Sequence, residues 1–303
     1  MKTTFHPLSV TTGDDTRGLL LGLAGVAIFS LTMPFTRMAV FELDPVFVAL
    51  GRALGAAVLA GAWLVWRRSP LPPRDALLPL ALVALGVVIG FPLLSSIALQ
   101  TLPAAHGAVV AGVLPLATAL YAALRGDERP SAAFWAVALL GANLVLVFAL
   151  LDGGGALQLA DLLMLLAVAA GAMGYAEGGK LARTLGGPET ICWALLLAAV
   201  PVALLLAWRH GDGLDAFAGV GAAAWLALGY VTVFSMFIGF FFWYRGLALG
   251  GVARVGQVQL LQPFMSLAGA ALLLGEPLTV ANCLFALAVI GVVLAGRRTR
   301  VNR

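Results

Sequence analysis

Residues 76–99 read ALLPLALVALGVVIGFPLLSSIAL, 24 positions without a charged side chain. As an α-helix, a run of this length crosses a hydrocarbon core of about 30 Å. Only helices or closed barrels satisfy their backbone in lipid, and the absence of alternation at every second residue argues against a barrel strand. Similar runs flank it on both sides. The ten predicted spans are 18–40, 46–66, 76–99, 104–124, 132–151, 158–180, 190–208, 220–244, 254–274 and 279–296. Composition agrees: 62% of the 303 residues are apolar and 11% charged, against roughly 25% charged in soluble proteins. The expected fold is an all-α polytopic membrane protein, solvated by the lipid bilayer, with no room for a separate soluble domain.

Charge and cysteine usage narrow the functions. The formal charge of +4 is spread along the chain, whereas a nucleic-acid partner needs a clustered basic face. Cys192 and Cys283 lie inside apolar runs and read as small core residues, so neither a disulfide nor a metal site is expected. Nothing calls for a cofactor. Residues 1–17 are polar and lack an apolar segment before a small-residue cleavage site, so no cleaved signal peptide is expected.

The basic residues sort by loop. With the amino terminus inside, cytoplasmic segments hold Lys2 and Arg17, then Arg67, Arg68 and Arg74, then Arg125 and Arg129. They continue with Lys180 and Arg183, Arg245 and Arg254, and Arg297, Arg298, Arg300 and Arg303. The outer segments hold Arg37 and Arg209, and Arg52 sits within the second span. This bias places both termini in the cytoplasm, in a bacterial-type inner membrane.

Landmarks of the first half recur in the second. Asp44-Pro45 and Gly187-Pro188, like Arg37 and Lys180, stand 143 residues apart. After one adjustment the offset is 148, which relates Leu99 to Leu247, Ala105 to Ala253, His106 to Arg254, Pro115 to Pro263 and Glu128 to Glu276. Each half holds five predicted spans, an odd number, so the second half enters the membrane in the opposite sense. Residues 1–151 and 152–303 are therefore expected to form two inverted five-helix repeats. Such repeats let one site face either side of the membrane in turn, which points to a transporter.

Ten short spans, the duplication and the Gly275-Glu276-Pro277 element after Gln262-Pro263 resemble the drug/metabolite transporter superfamily, and within it the EamA-type exporters. Phe29 to Arg37, Asp44-Pro45, Arg52 and Gly246 to Arg254 carry the rest of the likeness. The chain departs at Phe29, where relatives often carry Trp, and at Leu195, where the second half would repeat Arg52. Length and general character are most similar to the YddG-type aromatic amino-acid exporters. The resemblance implies a central cavity lined by spans 1, 3, 4, 6, 8 and 9. It places spans 5 and 10 at the periphery, available for a homodimer contact.

Polar side chains at membrane depth are costly and mark candidate substrate sites. Gln259, Gln262 and Ser266 share one face of span 9, where Pro263 frees a backbone carbonyl; helix-to-helix hydrogen bonding is the competing role. Span 3 offers Ser95, Ser96 and Gln100, and span 1 offers Ser30 and Thr32 before Pro34, although Ser and Thr often fold back on their own helix. Tyr230 and Ser235 sit deep in the aromatic span 8. Trp243 and Tyr244, near its end, suit an interfacial belt as well as a cavity wall. His106 and Glu177 are the candidates for proton coupling. His106 reads better as a polar residue at a helix end, and Glu177 as the partner of Lys180.

No carboxylate lies near the middle of a predicted span, which favours facilitated movement of substrate over proton drive. The leading expectation is an alternating-access exporter of amino acids or similar small metabolites. A proton-coupled multidrug or metabolite exporter is the alternative within transport. An intramembrane enzyme would need a nucleophile–base pair or metal ligands, and His6, His106 and His210 lie far apart in the sequence. A structural or receptor-like membrane protein fits the duplication less well.

Overall fold

The computed structural model describes residues 12–125, 129–152, 156–210, 217–250, 255–256, 258–298 and 301–302. Lys2, His6, Glu128, Ala253, Arg254, Arg300 and Arg303 of the sequence argument lie outside the described residues. Among the described residues, eight helices are long and apolar enough to cross a membrane. They are α1 (Thr16–Val40), α2 (Pro45–Arg67), α3 (Arg74–Ala98), α4 (Ala104–Arg125), α5 (Trp135–Asp152), α6 (Leu159–Leu181), α7 (Gly187–Arg209) and α8 (Ala222–Gly250). Two shorter apolar helices follow, α9 (Val258–Leu274) and α10 (Val280–Ala295). Among the described residues the fold is otherwise helical, apart from a two-residue antiparallel pairing of Arg129–Pro130 with Val301–Asn302.

Local chemistry sets the helix ends. Asp44 accepts the Phe47 N–H at 2.9 Å ahead of Pro45 in the first turn of α2, a favoured start. Gly275 closes α9 in the left-handed conformation, φ 68°. The next residue, Glu276, reaches across to α4, where its two carboxylate oxygens accept the Ala104 and Ala105 N–H groups at 2.8 Å each. A carboxylate there satisfies orphan donors at the positive end of the helix dipole. The Gly-Glu-Pro element is thus a helix cap delivered from one half of the chain to the other.

Several helix contacts recur when the two halves are exchanged. α1 packs on α8 as α6 packs on α3, and α4 packs on α6 as α9 packs on α1. The pairs α2–α7, α4–α9 and α5–α10 map onto themselves, and each runs antiparallel. Asp44 at the start of α2 meets Arg209 at the end of α7, Ala104 meets Glu276, and Gly141 of α5 meets Val292 of the helix that contains α10. Two crossings are tight enough to demand glycine. A Cβ on Gly18 would lie 2.6 Å from the Gly250 nitrogen, and one on Gly86 would lie 2.7 Å from the Gly174 nitrogen, which is small-residue packing as in membrane helices generally.

The buried apolar residues form two clusters. One gathers the second half of α1 with α4, the first half of α6 and α9. The other gathers the first half of α1 with α2, α7 and α8. Trp243 and Tyr244 belong to the second cluster and are buried, which corrects the interfacial-belt reading for both. Tyr244 donates its hydroxyl to the Gly174 carbonyl at 3.1 Å, so its polar tip is satisfied inside the bundle.

Candidate functional site

Where the two clusters meet, the helices are irregular. α1 is interrupted between Ser30 and Thr32, just before Pro34. α4 is interrupted between Ala111 and Leu114, just before Pro115. α9 changes from a tight 3₁₀ turn over Val258–Leu261 to an α-helix at Gln262-Pro263. Proline removes a donor and leaves a carbonyl free one turn earlier. α3 and α8 instead widen into π-helical segments, Ala84–Gly90 and Val231–Ile238, whose last residues stand at the 148-residue offset. Irregular backbone of this kind is tolerated in a membrane where it is enclosed by protein or lines a cavity.

A cavity of about 30 Å³ lies at these interruptions, with room for about two waters. Phe29, Thr32 and Met33 of α1, Val87 and Phe91 of α3, and Ala111 and Leu114 of α4 line it, with Gly171 and Tyr175 of α6, Ser235 and Phe240 of α8, and Gln262 of α9. These are the helices implied by the resemblance. The addition is Arg52 of α2, 3% exposed, whose Nε and Nη1 have no hydrogen-bond partner. Thr32 and Ser235 share a hydrogen bond of 2.8 Å across the cavity wall, and the Gln262 side-chain oxygen is buried without a partner. Phe29, Tyr175, Phe240 and Trp243 pack together with ring centroids 5.0–6.4 Å apart. A smaller adjoining space of about 10 Å³ is lined by Gln259, Gln262, Pro263 and Ser266.

The structure brings together Thr32, Ser235, Gln259, Gln262 and Ser266 of the expected substrate residues. It does not bring the others there. Ser30 donates to the Val26 carbonyl at 2.7 Å and Ser95 to the Phe91 carbonyl at 2.5 Å, each within its own helix. Ser96 is fully buried outside the cavity lining, and Gln100 is exposed in the turn after α3. Tyr230 donates to the Ile28 carbonyl at 3.0 Å and stacks between Phe35 and Phe234. Its role is to brace the break in α1. Arg52 and Tyr175 are the residues the sequence reading did not place in the site. A lone arginine inside an apolar span was the available signal for the first.

The two coupling candidates lie outside the cavity, and neither has the surroundings expected. His106 stands in the first turn of α4, as expected, but is 2% exposed and not shallow. Its Nδ1 lies 2.5 Å from Asp152 Oδ2, and its Nε2 lies 2.8 Å from Asp161 Oδ1, an ion-pair distance off the hydrogen-bond direction. Asp161 is itself buried and accepts the Gln158 N–H at the start of α6. Glu177 turns away from the exposed Lys180. It accepts from the Tyr121 hydroxyl at 3.0 Å and Arg125 Nε at 3.2 Å, tying α6 to α4. Among the described residues no group of His, Cys, Asp and Glu could hold a metal.

Interrupted apolar helices around a small cavity of mixed lining define a multi-pass membrane protein, and known proteins resolve the class further. The EamA-like transporter family matches the chain over residues 16–150 and again over residues 158–297; the chain belongs to this family. "Uncharacterized transporter YdeK" of Bacillus subtilis (strain 168) is 48% identical over 283 residues, 93% of this chain and 98% of that protein. "Uncharacterized inner membrane transporter YedA" of Escherichia coli (strain K12) is 27% identical over 216 residues, covering 70% of this chain and 68% of the relative. A solved crystal structure at 21% identity shares the fold, with a TM-score of 0.62 over 92% of this chain and 96% of the other.

Proposed function

We propose that this transporter exports amino acids, aromatic or other apolar ones among them, by facilitative alternating access in a bacterial inner membrane. In this reading α9 and α10 also cross the bilayer, giving ten spans in two inverted repeats, with both termini cytoplasmic. Two family matches in tandem, the half-exchanged packing pattern and the antiparallel run of α2 against α7 support the duplication. The cavity carries the function. It joins one guanidinium, two hydroxyls and a glutamine to an aromatic wall, the mixed lining that suits an amphipathic small molecule. Its present volume is too small for an amino acid, so the site must open towards one side to load and towards the other to release. Among the described residues no Asp or Glu lines either space, which supports movement down the substrate's own gradient, with no cofactor and no catalytic residue. A homodimer through α5 and α10 belongs to the same reading.

Counterflow in proteoliposomes tests it. Vesicles loaded with unlabelled phenylalanine, leucine or threonine should accumulate the labelled partner saturably, at a rate indifferent to an imposed pH gradient. Absence of exchange for every amino acid would sink the substrate assignment.

One observation favours the proton-coupled alternative. Both nitrogens of the buried His106 lie within ion-pair distance of a carboxylate, a cluster near the start of α4. If it couples transport, exchange will respond to the pH gradient in the native protein and lose that response in His106→Gln.

A further inference from the structure

We infer that Arg52 anchors a carboxylate of the transported molecule while the Gln262 side-chain oxygen accepts an N–H of the same molecule. This rests on the transport reading and names the chemistry its site recognises. The guanidinium carries its charge at neutral pH and lines the cavity at 3% exposure, with Nε and Nη1 unpartnered. Among the described residues no acidic side chain lines the space to neutralise it. A buried cation without a counter-charge is strongly destabilising, and about two waters hydrate it only in part.

Packing does not require the charge. Leu195 stands 143 residues on, at the equivalent place in the second half, fully buried in α7. A ligand anion is the missing partner, and a carboxylate can take charge-assisted, bidentate hydrogen bonds from a single guanidinium. The orphan oxygen of Gln262 has the opposite need, since it can only accept. One guanidinium and one unfilled acceptor, beside Phe29, Phe240 and Tyr175, match the carboxylate, ammonium and side chain of an amino-acid zwitterion.

The test uses the full chain in lipid nanodiscs for thermal melting and in proteoliposomes for counterflow. The probes are phenylalanine, leucine and threonine, their methyl esters, and 3-phenylpropionate, which keeps the carboxylate and lacks the ammonium. At least one amino acid should raise the melting temperature, and its ester should not. Arg52→Met should raise the half-saturating concentration about tenfold or more, consistent with loss of a charge-assisted contact. The empty variant should melt at or above the native temperature, because an uncompensated charge has been removed. Arg52→Lys should fall between the two.

Equal binding of ester and acid, or native affinity in Arg52→Met, overturns the inference while leaving transport intact. So does a large fall in the melting temperature of empty Arg52→Met, which would make the arginine structural. Stabilisation by 3-phenylpropionate that is lost in Arg52→Met, without exchange of any amino acid, keeps the carboxylate anchor and removes the transport assignment. No stabilisation by any carboxylate overturns the anchor.

Discussion

Gln262 is the polar residue that lines both spaces, together with Met33 and Ala111, and its side-chain oxygen is an unpaired acceptor. Gln262→Ala should lower exchange about tenfold, the cost of one buried polar contact to a charged group, while the yield of folded protein stays near native. Unimpaired exchange would remove α9 from the substrate wall. The other polar candidates divide by reach. Ser30 and Ser95 have a carbonyl of their own helix within hydrogen-bond distance and take it. Thr32 instead meets Ser235 across the wall. Residue type made all four candidates, but only the path of the backbone separates a self-satisfied hydroxyl from one that lines the cavity.

At the scale of single helices, caps and close crossings hold the interrupted segments in place. Glu276 gives α4 two charge-assisted hydrogen bonds from outside its own half. Glu276→Ala should cost about 1–2 kcal/mol, the usual range for a lost N-terminal cap, read as a lower melting temperature that Glu276→Gln restores only in part. The α3–α6 crossing is sharper in its demand, because backbone, not a flexible side chain, lies within 3 Å of a Cβ at Gly86. Gly86→Leu should force the helices apart and reduce folded yield several-fold, while substitution at Gly291, which has open space around it, should not. The apolar runs and the prolines at 34, 115 and 263 were legible in advance. The π-helical segments were not. A widened turn is a compromise among packing partners and has no residue signature comparable to proline's missing N–H.

At the scale of the whole molecule, the proposed topology predicts which surfaces face which compartment. With Cys192 and Cys283 replaced by alanine, a membrane-impermeant maleimide should label Gln100→Cys in intact cells and Arg68→Cys only after permeabilisation. The reverse pattern would invert the orientation. Two acidic groups also sort by tertiary contact. Glu177 joins α6 to α4 through Tyr121 and Arg125, and Asp161 meets His106 from the start of the same helix. Each pairs a position in the first half with one in the second, so sequence spacing named the wrong partner for Glu177 and none for His106.

The solvent, the helical class and the transporter family were all readable from the amino-acid order. These depend on run length, charge sparsity and repeated landmarks, all of which are additive along the chain. The sequence also put the right helices around the cavity through family likeness. Only the tertiary structure decided that Arg52 faces the cavity unpaired, that His106 is enclosed by two carboxylates, and which of the hydroxyls turn inward. Those facts depend on which side chain from another helix arrives within about 3 Å, the reach of a hydrogen bond, and a separation of that kind is set by packing between helices far apart in the chain.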